Sequence, residues 1–114
     1  MDLRSELSNF TGTTCYYSSS FGTLKLTEGI HYLREKANCF WLVDIVESYQ
    51  PTLKEVCFQI WKITVNEDQT AVVTCREDDG LPELVKQDIP YTDFPLSDFE
   101  FFCINNVVLL KSEY

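Results

Sequence analysis

The chain has 114 residues, 45% hydrophobic and 14% aromatic, with 18 acids against 9 bases for a formal charge of −9. That length suits one core, so a single domain over residues 1–114 is expected, and the apolar content excludes the signature of disorder. The negative charge repels phosphate backbones and anionic membranes, which excludes direct nucleic-acid and membrane-surface binding as expected modes and favours a partner with a basic surface.

In chain order, Leu3, Leu7 and Phe10 recur at helical spacing and predict a short helix after Met1 that stops at Thr11-Gly12. The triplet Ser18-Ser19-Ser20 reads as a loop, and Phe21, Leu24 and Leu26 as a short strand. Thr27 offers a helix cap and Glu28 an acid for the first turn, with Ile30, Leu33 and Ala37 forming an apolar stripe toward Asn38. A second helix carries Leu42, Ile45, Val46 and Tyr49 on one face, and Pro51 prevents its continuation.

From Val56 the period changes to 2. Cys57, Trp61, Ile63 and Val65 share a face, with Gln59 interrupting it; Gln59 and Lys62 mark where water or a polar partner is reachable. Turn chemistry at Asn66–Gln69 and Glu77–Gly80 separates strands at 70–75 and 83–89, and Asn105-Asn106 joins a last hairpin of 99–104 and 107–111. Helices first and hairpins afterwards give an α+β fold: two helices packed on one face of an antiparallel meander of four to five strands. Phe101 and Phe102 point to opposite faces, so one lies outside the helix-covered core, under either an N-terminal segment or a second subunit. Monomer and homodimer both remain open. Ile89-Pro90-Tyr91 and Phe94-Pro95-Leu96 form a stiff connection in which Phe94 and Leu96 plug the core, while Asp93 either caps the turn or faces a partner.

The five cysteines, Cys15, Cys39, Cys57, Cys75 and Cys103, are separated by 24, 18, 18 and 28 positions with no C-x-x-C pair. That is no disulfide framework, and buried, reduced thiols are expected for most of them. The start, Met1-Asp2-Leu3-Arg4, lacks the layout of a secretory leader, and no apolar run approaches the roughly 18 to 20 residues that span a bilayer. A cytoplasmic location follows.

His31 is the one histidine. Glu28, His31 and Glu35 share a helix face and could ligate a metal, but such spacings ordinarily make solvated polar pairs. No nucleotide-binding, hydrolase or metalloprotease motif occurs, so no catalytic residue, cofactor or metal is expected. Charge is more informative. Residues before Phe58 carry seven acids and five bases, whereas Phe58 onward carries eleven acids and four bases. Glu77, Asp78, Asp79, Glu83, Asp88 and Asp93 form the candidate partner-binding set, an acidic edge with Tyr91 as its aromatic anchor; the same acids could simply solubilise loops and keep strand edges apart.

Phe10-Thr11-Gly12-Thr13, Thr27-Glu28-Gly29, Trp41-Leu42, Gln59-Ile60-Trp61, Tyr91-Thr92-Asp93-Phe94-Pro95-Leu96 and Glu113-Tyr114 together resemble an uncharacterised family of small proteins met on bacterial plasmids, phages and other mobile elements. An aspartate is expected where this chain has Glu28. The family brings no established activity. The acidic second half and the resemblance to mobile-element proteins, taken together, lead to the expectation of a non-enzymatic inhibitor of anti-defence type that occupies the basic nucleic-acid-binding groove of a host restriction or immunity complex. The alternatives are an immunity protein or antitoxin neutralising a basic toxin, and a small enzyme or metal-binding protein using His31.

Overall fold

The computed structural model describes residues 3–114; Met1 and Asp2, on which the leader reading and the start of the first helix fall, lie outside the described residues. Helix α1 (Leu3–Leu7) is shorter than the Leu3–Phe10 pattern predicts. The chain turns after Leu7, whose carbonyl accepts from the Phe10 N–H at 3.1 Å, and the Phe10 ring then packs on Tyr32 at 5.2 Å. Helix α2 (Glu28–Lys36) starts as its chemistry predicts: the Thr27 hydroxyl accepts the Ile30 N–H at 3.3 Å, and Ile30 and Leu33 are buried. Asn38 reverses the chain with φ +50°, and α3 (Phe40–Tyr49) buries Leu42, Val43 and Val46. Pro51 ends the α-helix but does not end the coil, because its fixed φ suits the 3-10 turn Gln50–Thr52.

Strands β1 (Tyr17–Ser18), β2 (Lys25–Leu26), β3 (Phe58–Val65), β4 (Ala71–Arg76), β5 (Glu83–Ile89), β6 (Asp98–Ile104) and β7 (Val107–Leu110) form one sheet in the order β1-β2-β7-β6-β3-β4-β5. The α+β class holds. The sheet has seven strands rather than four or five, and it is mixed because β2 runs parallel to β7. It is also not a simple meander, since β6 returns to the far side of β3 and makes β3 central. Two corrections concern the short strands: Ser18 pairs with Lys25 instead of lying in a loop, and Phe21 is no strand residue but an exposed residue on a turn. The Asn105-Asn106 hairpin is as read, with φ of +49° and +69°.

The turn carrying Phe21 is organised by a buried carboxylate. Glu47 on α3 accepts hydrogen bonds from the Ser19 and Thr23 hydroxyls, both at 2.5 Å, and from the Phe21 and Thr23 N–H groups at 3.1 and 3.0 Å. Burial works against its charge, yet these donors prevail and hold the pKa below the ordinary 4.5.

The helices cover one sheet face, where Trp61, Ile63, Val73, Cys75, Phe101, Cys103 and Val108 are buried. Gln59 belongs to that face. It is buried, not water-facing, because its partners are internal: it exchanges amide hydrogen bonds with Gln50 at 2.9 Å and accepts the Trp61 indole N–H at 2.9 Å. Phe102 points to the uncovered face. It is shielded there by Phe58 and by Tyr114 at 5.0 and 5.5 Å between ring centroids, so the chain's last residue takes the place expected of an N-terminal segment. Just before Tyr114, the Glu113 carboxylate accepts from the Thr27 hydroxyl at 2.6 Å and the Gly29 N–H at 3.2 Å, meeting the positive end of α2. A Cβ on Gly29 would stand 2.5 Å from Leu110 Cδ1 and 2.7 Å from Glu113 Oε1, so a larger residue there would push both side chains aside.

Candidate functional site

The structure sorts the acids by what they touch. Arg76 pairs with Glu83 at 3.1 Å, Lys111 with Glu100 at 2.9 Å, Arg4 with Asp98 at 3.4 Å and His31 with Glu35 at 2.7 Å. Glu28 accepts from the Thr14 N–H and hydroxyl and the Cys15 N–H, and these bonds lower its pKa. Asp68 is held likewise by Thr70, again with a lowered pKa. Asp44 accepts from the Ser20 hydroxyl, Glu6 from the Tyr32 hydroxyl, and Asp78 from the Asp79 N–H within its own turn.

Among the described residues, the hydrogen bonds and ion pairs leave the carboxylates of Glu55, Glu67, Glu77, Asp79, Asp88 and Asp93 unused. Glu77 and Asp79 stand in the turn between β4 and β5, Asp88 on β5 and Asp93 in the loop after it. Of the candidate set, then, Glu83 is neutralised by Arg76, and the rest lie on β5 or in the connections at its two ends, at the margin of the sheet. They do not gather into one cluster: the Glu77–Asp79 turn and the Tyr91–Asp93 loop are separated by the length of β5, about 20 Å at roughly 3.3 Å per residue.

At the Asp93 end the sequence reading missed something. Trp41 and Ile45 of α3, four residues apart on one helix face, stand beside Gln87, Ile89, Tyr91 and Asp93 and line an open groove of about 490 Å³. Tyr91 is 70% exposed. Asp93 does not cap its turn: the Thr92 hydroxyl does, accepting the Phe94 N–H at 3.1 Å, while the Thr92 N–H donates to the Gln69 carbonyl at 2.9 Å. Thr92 and Phe94 are therefore buried, Phe94 as the expected plug, and the alternating chain leaves Tyr91 and Asp93 outside. The signal available in the sequence was the Trp41/Ile45 spacing.

His31 is held on several sides. Its ring stacks on Tyr17 at 3.7 Å with planes 5° apart. Arg34, buried under Phe40 at 4.5 Å, approaches Nδ1 at 3.4 Å. A guanidinium only donates, so Nδ1 accepts and Nε2 carries the proton toward Glu35. Glu28, turned to Thr14, is drawn away from that pair, and no group of three or more metal-ligating side chains occurs among the described residues. Cys39, Cys75 and Cys103 are buried, and burial pushes each thiol up to about 12. Cys57, expected on the buried face, is exposed because β3 begins one residue after it; Cys15 is exposed too. No helix among the described residues is long and apolar enough to cross a membrane.

These features define a small α+β protein with an acidic sheet margin and a groove beside it. More particularly, the chain belongs to a family of unknown function, DUF6876, whose model matches residues 1–114. No curated protein and no solved structure matches it.

Proposed function

We propose that the protein is a non-enzymatic binding protein whose acidic margin engages a partner with a basic surface, with carboxylates standing where the phosphates of a nucleic acid would sit. One observation carries this reading: Glu77 and Asp79 in the turn that leads from β4 to the edge strand β5, Asp88 on that strand and Asp93 beyond its end are all free of internal partners. Carboxylates that are not neutralised within the molecule act outward, raising the rate of encounter with a cationic surface in a salt-dependent way. In its specific form the reading is that of a mobile-element inhibitor directed at a nucleic-acid-binding defence complex.

The test is affinity capture of the tagged protein from a host lysate at low and moderate salt, beside a variant carrying Glu77→Lys, Asp78→Lys and Asp79→Lys. A basic nucleic-acid-binding protein retained at low salt, released as salt rises and lost by the variant is the expected result. The variant should melt within about 6 °C of the parent, because the three side chains are exposed and surface changes are worth about 0.5 kcal/mol or less each, the lost Asp78 bond to the Asp79 N–H included. Equal capture by the two proteins would remove the acidic-margin mechanism.

A further inference from the structure

The groove and the margin of the sheet are one feature. Because β5 ends the strand order, alternate residues turn their N–H and C=O groups away from β4 with no strand beyond them. The register irregularity between Cys75 and Arg76 is confined to the Glu83 end, and from Val85 to Ile89 the pairing with β4 is continuous. Helix α3 borders this stretch through Trp41 and Ile45, and the Tyr49 hydroxyl donates to Gln87 Oε1 at 2.9 Å, tying the helix to the strand and holding the groove preformed.

The geometry points to β5 as the docking edge for an extended basic segment of a partner protein, which pairs with Val85–Ile89 as an eighth strand and lays alternate side chains into the groove. The inference rests on the acidic-margin reading and says how the basic partner is held. Side chains of an added strand alternate between faces. On the helix side they meet Trp41, Ile45 and Ile89, where an apolar side chain fits, or Tyr91 and Asp93, where a lysine or arginine finds an aromatic face and a free carboxylate. On the other side they meet Asp88 and Lys86. The occupant is therefore a segment alternating apolar and basic residues. A second copy is disfavoured by charge alone, since each chain carries a formal charge of −9, whereas a cationic segment is drawn to the same edge.

The experiment is a titration of the ¹⁵N-labelled full chain, followed by amide and indole NMR signals at low salt, with the heptapeptide Lys-Val-Lys-Val-Lys-Val-Lys. Two controls carry backbone N-methyl groups in the two alternate patterns, and a third, Lys-Gly-Lys-Gly-Lys-Gly-Lys, has the same charge without strand propensity. Edge pairing engages one side of the added strand, so one N-methyl pattern should bind at least tenfold more weakly while the other binds like the parent. Shifts should centre on Val85–Ile89 and the Trp41 indole. If both N-methyl patterns bind like the parent, or shifts centre on Glu77–Asp79, edge docking is overturned while the acidic-margin reading stands. If no cationic peptide binds, both fall. If the β5 signals move on concentrating the protein alone and light scattering reports a dimer, a second copy holds the edge and the inference is overturned.

Discussion

Glu47→Gln is the sharpest test of the packing between α3 and the turn at Ser19–Thr23. In the native chain Oε2 receives three hydrogens, from the Ser19 and Thr23 hydroxyls and the Thr23 amide, whereas Oε1 receives one, from the Phe21 amide. A glutamine must turn its oxygen to the three donors, which sets its NH₂ against the Phe21 N–H, donor to donor. One bond is lost and three lose their ionic character. With charged hydrogen bonds worth about 1.5–3 kcal/mol and neutral ones about 1, the loss comes to about 3 kcal/mol at the low end of that range. For a chain of this size that is a fall in Tm of about 12 °C. The sign of the pH dependence is fixed as well. The folded pKa of Glu47 is depressed, so its stabilisation is present above the ordinary 4.5 of the unfolded chain and is lost as pH falls through the folded value. Thermal melts followed by circular dichroism should show the widest gap between parent and variant near neutrality, closing on acidification below pH 4.5. A gap under 3 °C at neutral pH, or one that persists in acid, would refute the assignment of this carboxylate as the charged organiser of the turn.

Gln59→Leu removes the acceptor of the buried Trp61 indole N–H and the partner of Gln50; a loss of about 2–3 kcal/mol is expected for stranding such groups, read as a lower urea midpoint with unchanged slope, and an unchanged midpoint would contradict the network. Titration of the native protein with a thiol-reactive disulfide at pH 8 should report two fast thiols, Cys15 and Cys57, with Cys39, Cys75 and Cys103 reacting only on unfolding because burial pushes them up to about 12. A third fast thiol would count against the packing described.

The readable parts of the fold were those set by local chemistry. Thr27 caps α2 through its own hydroxyl, and Asn105 and Asn106 take up the left-handed backbone of the last hairpin, so neither needs a distant partner. What was unreadable depends on distance along the chain. The two-residue strands β1 and β2 carry little periodicity of their own and exist because Leu26 lies beside Val108, 82 positions on. Gln59 looks like a break in an apolar face until Gln50, in another element, supplies its partner. The acids show the same limit: Arg4 and Asp98 are 94 positions apart, and nothing in one dimension says which carboxylates such partners leave free.

The sequence blocks behind the resemblance divide by the direction of their side chains. Thr13 accepts the Glu28 N–H, Glu113 meets Thr27 and Gly29, and Gln59 meets Trp61; these contacts are seams that tie the start of α2 to neighbouring segments and close the sheet's buried face. Two blocks differ. In Trp41-Leu42 the leucine is buried and the tryptophan half-exposed; in Tyr91–Leu96, Thr92 and Phe94 are buried while Tyr91 and Asp93 stay outside. The outward residues of these two blocks, 50 positions apart in the chain, line the same groove. Folding accounts for Leu42, Thr92 and Phe94, but it makes no comparable use of the exposed Tyr91 ring or of the Asp93 carboxylate. An aromatic surface and an uncompensated carboxylate set beside an unpaired strand edge have the composition of a recognition surface for a cationic extended chain. The groove, more than the acid-rich Glu77–Asp79 turn, is therefore where binding specificity should reside, with the turn setting the rate of encounter.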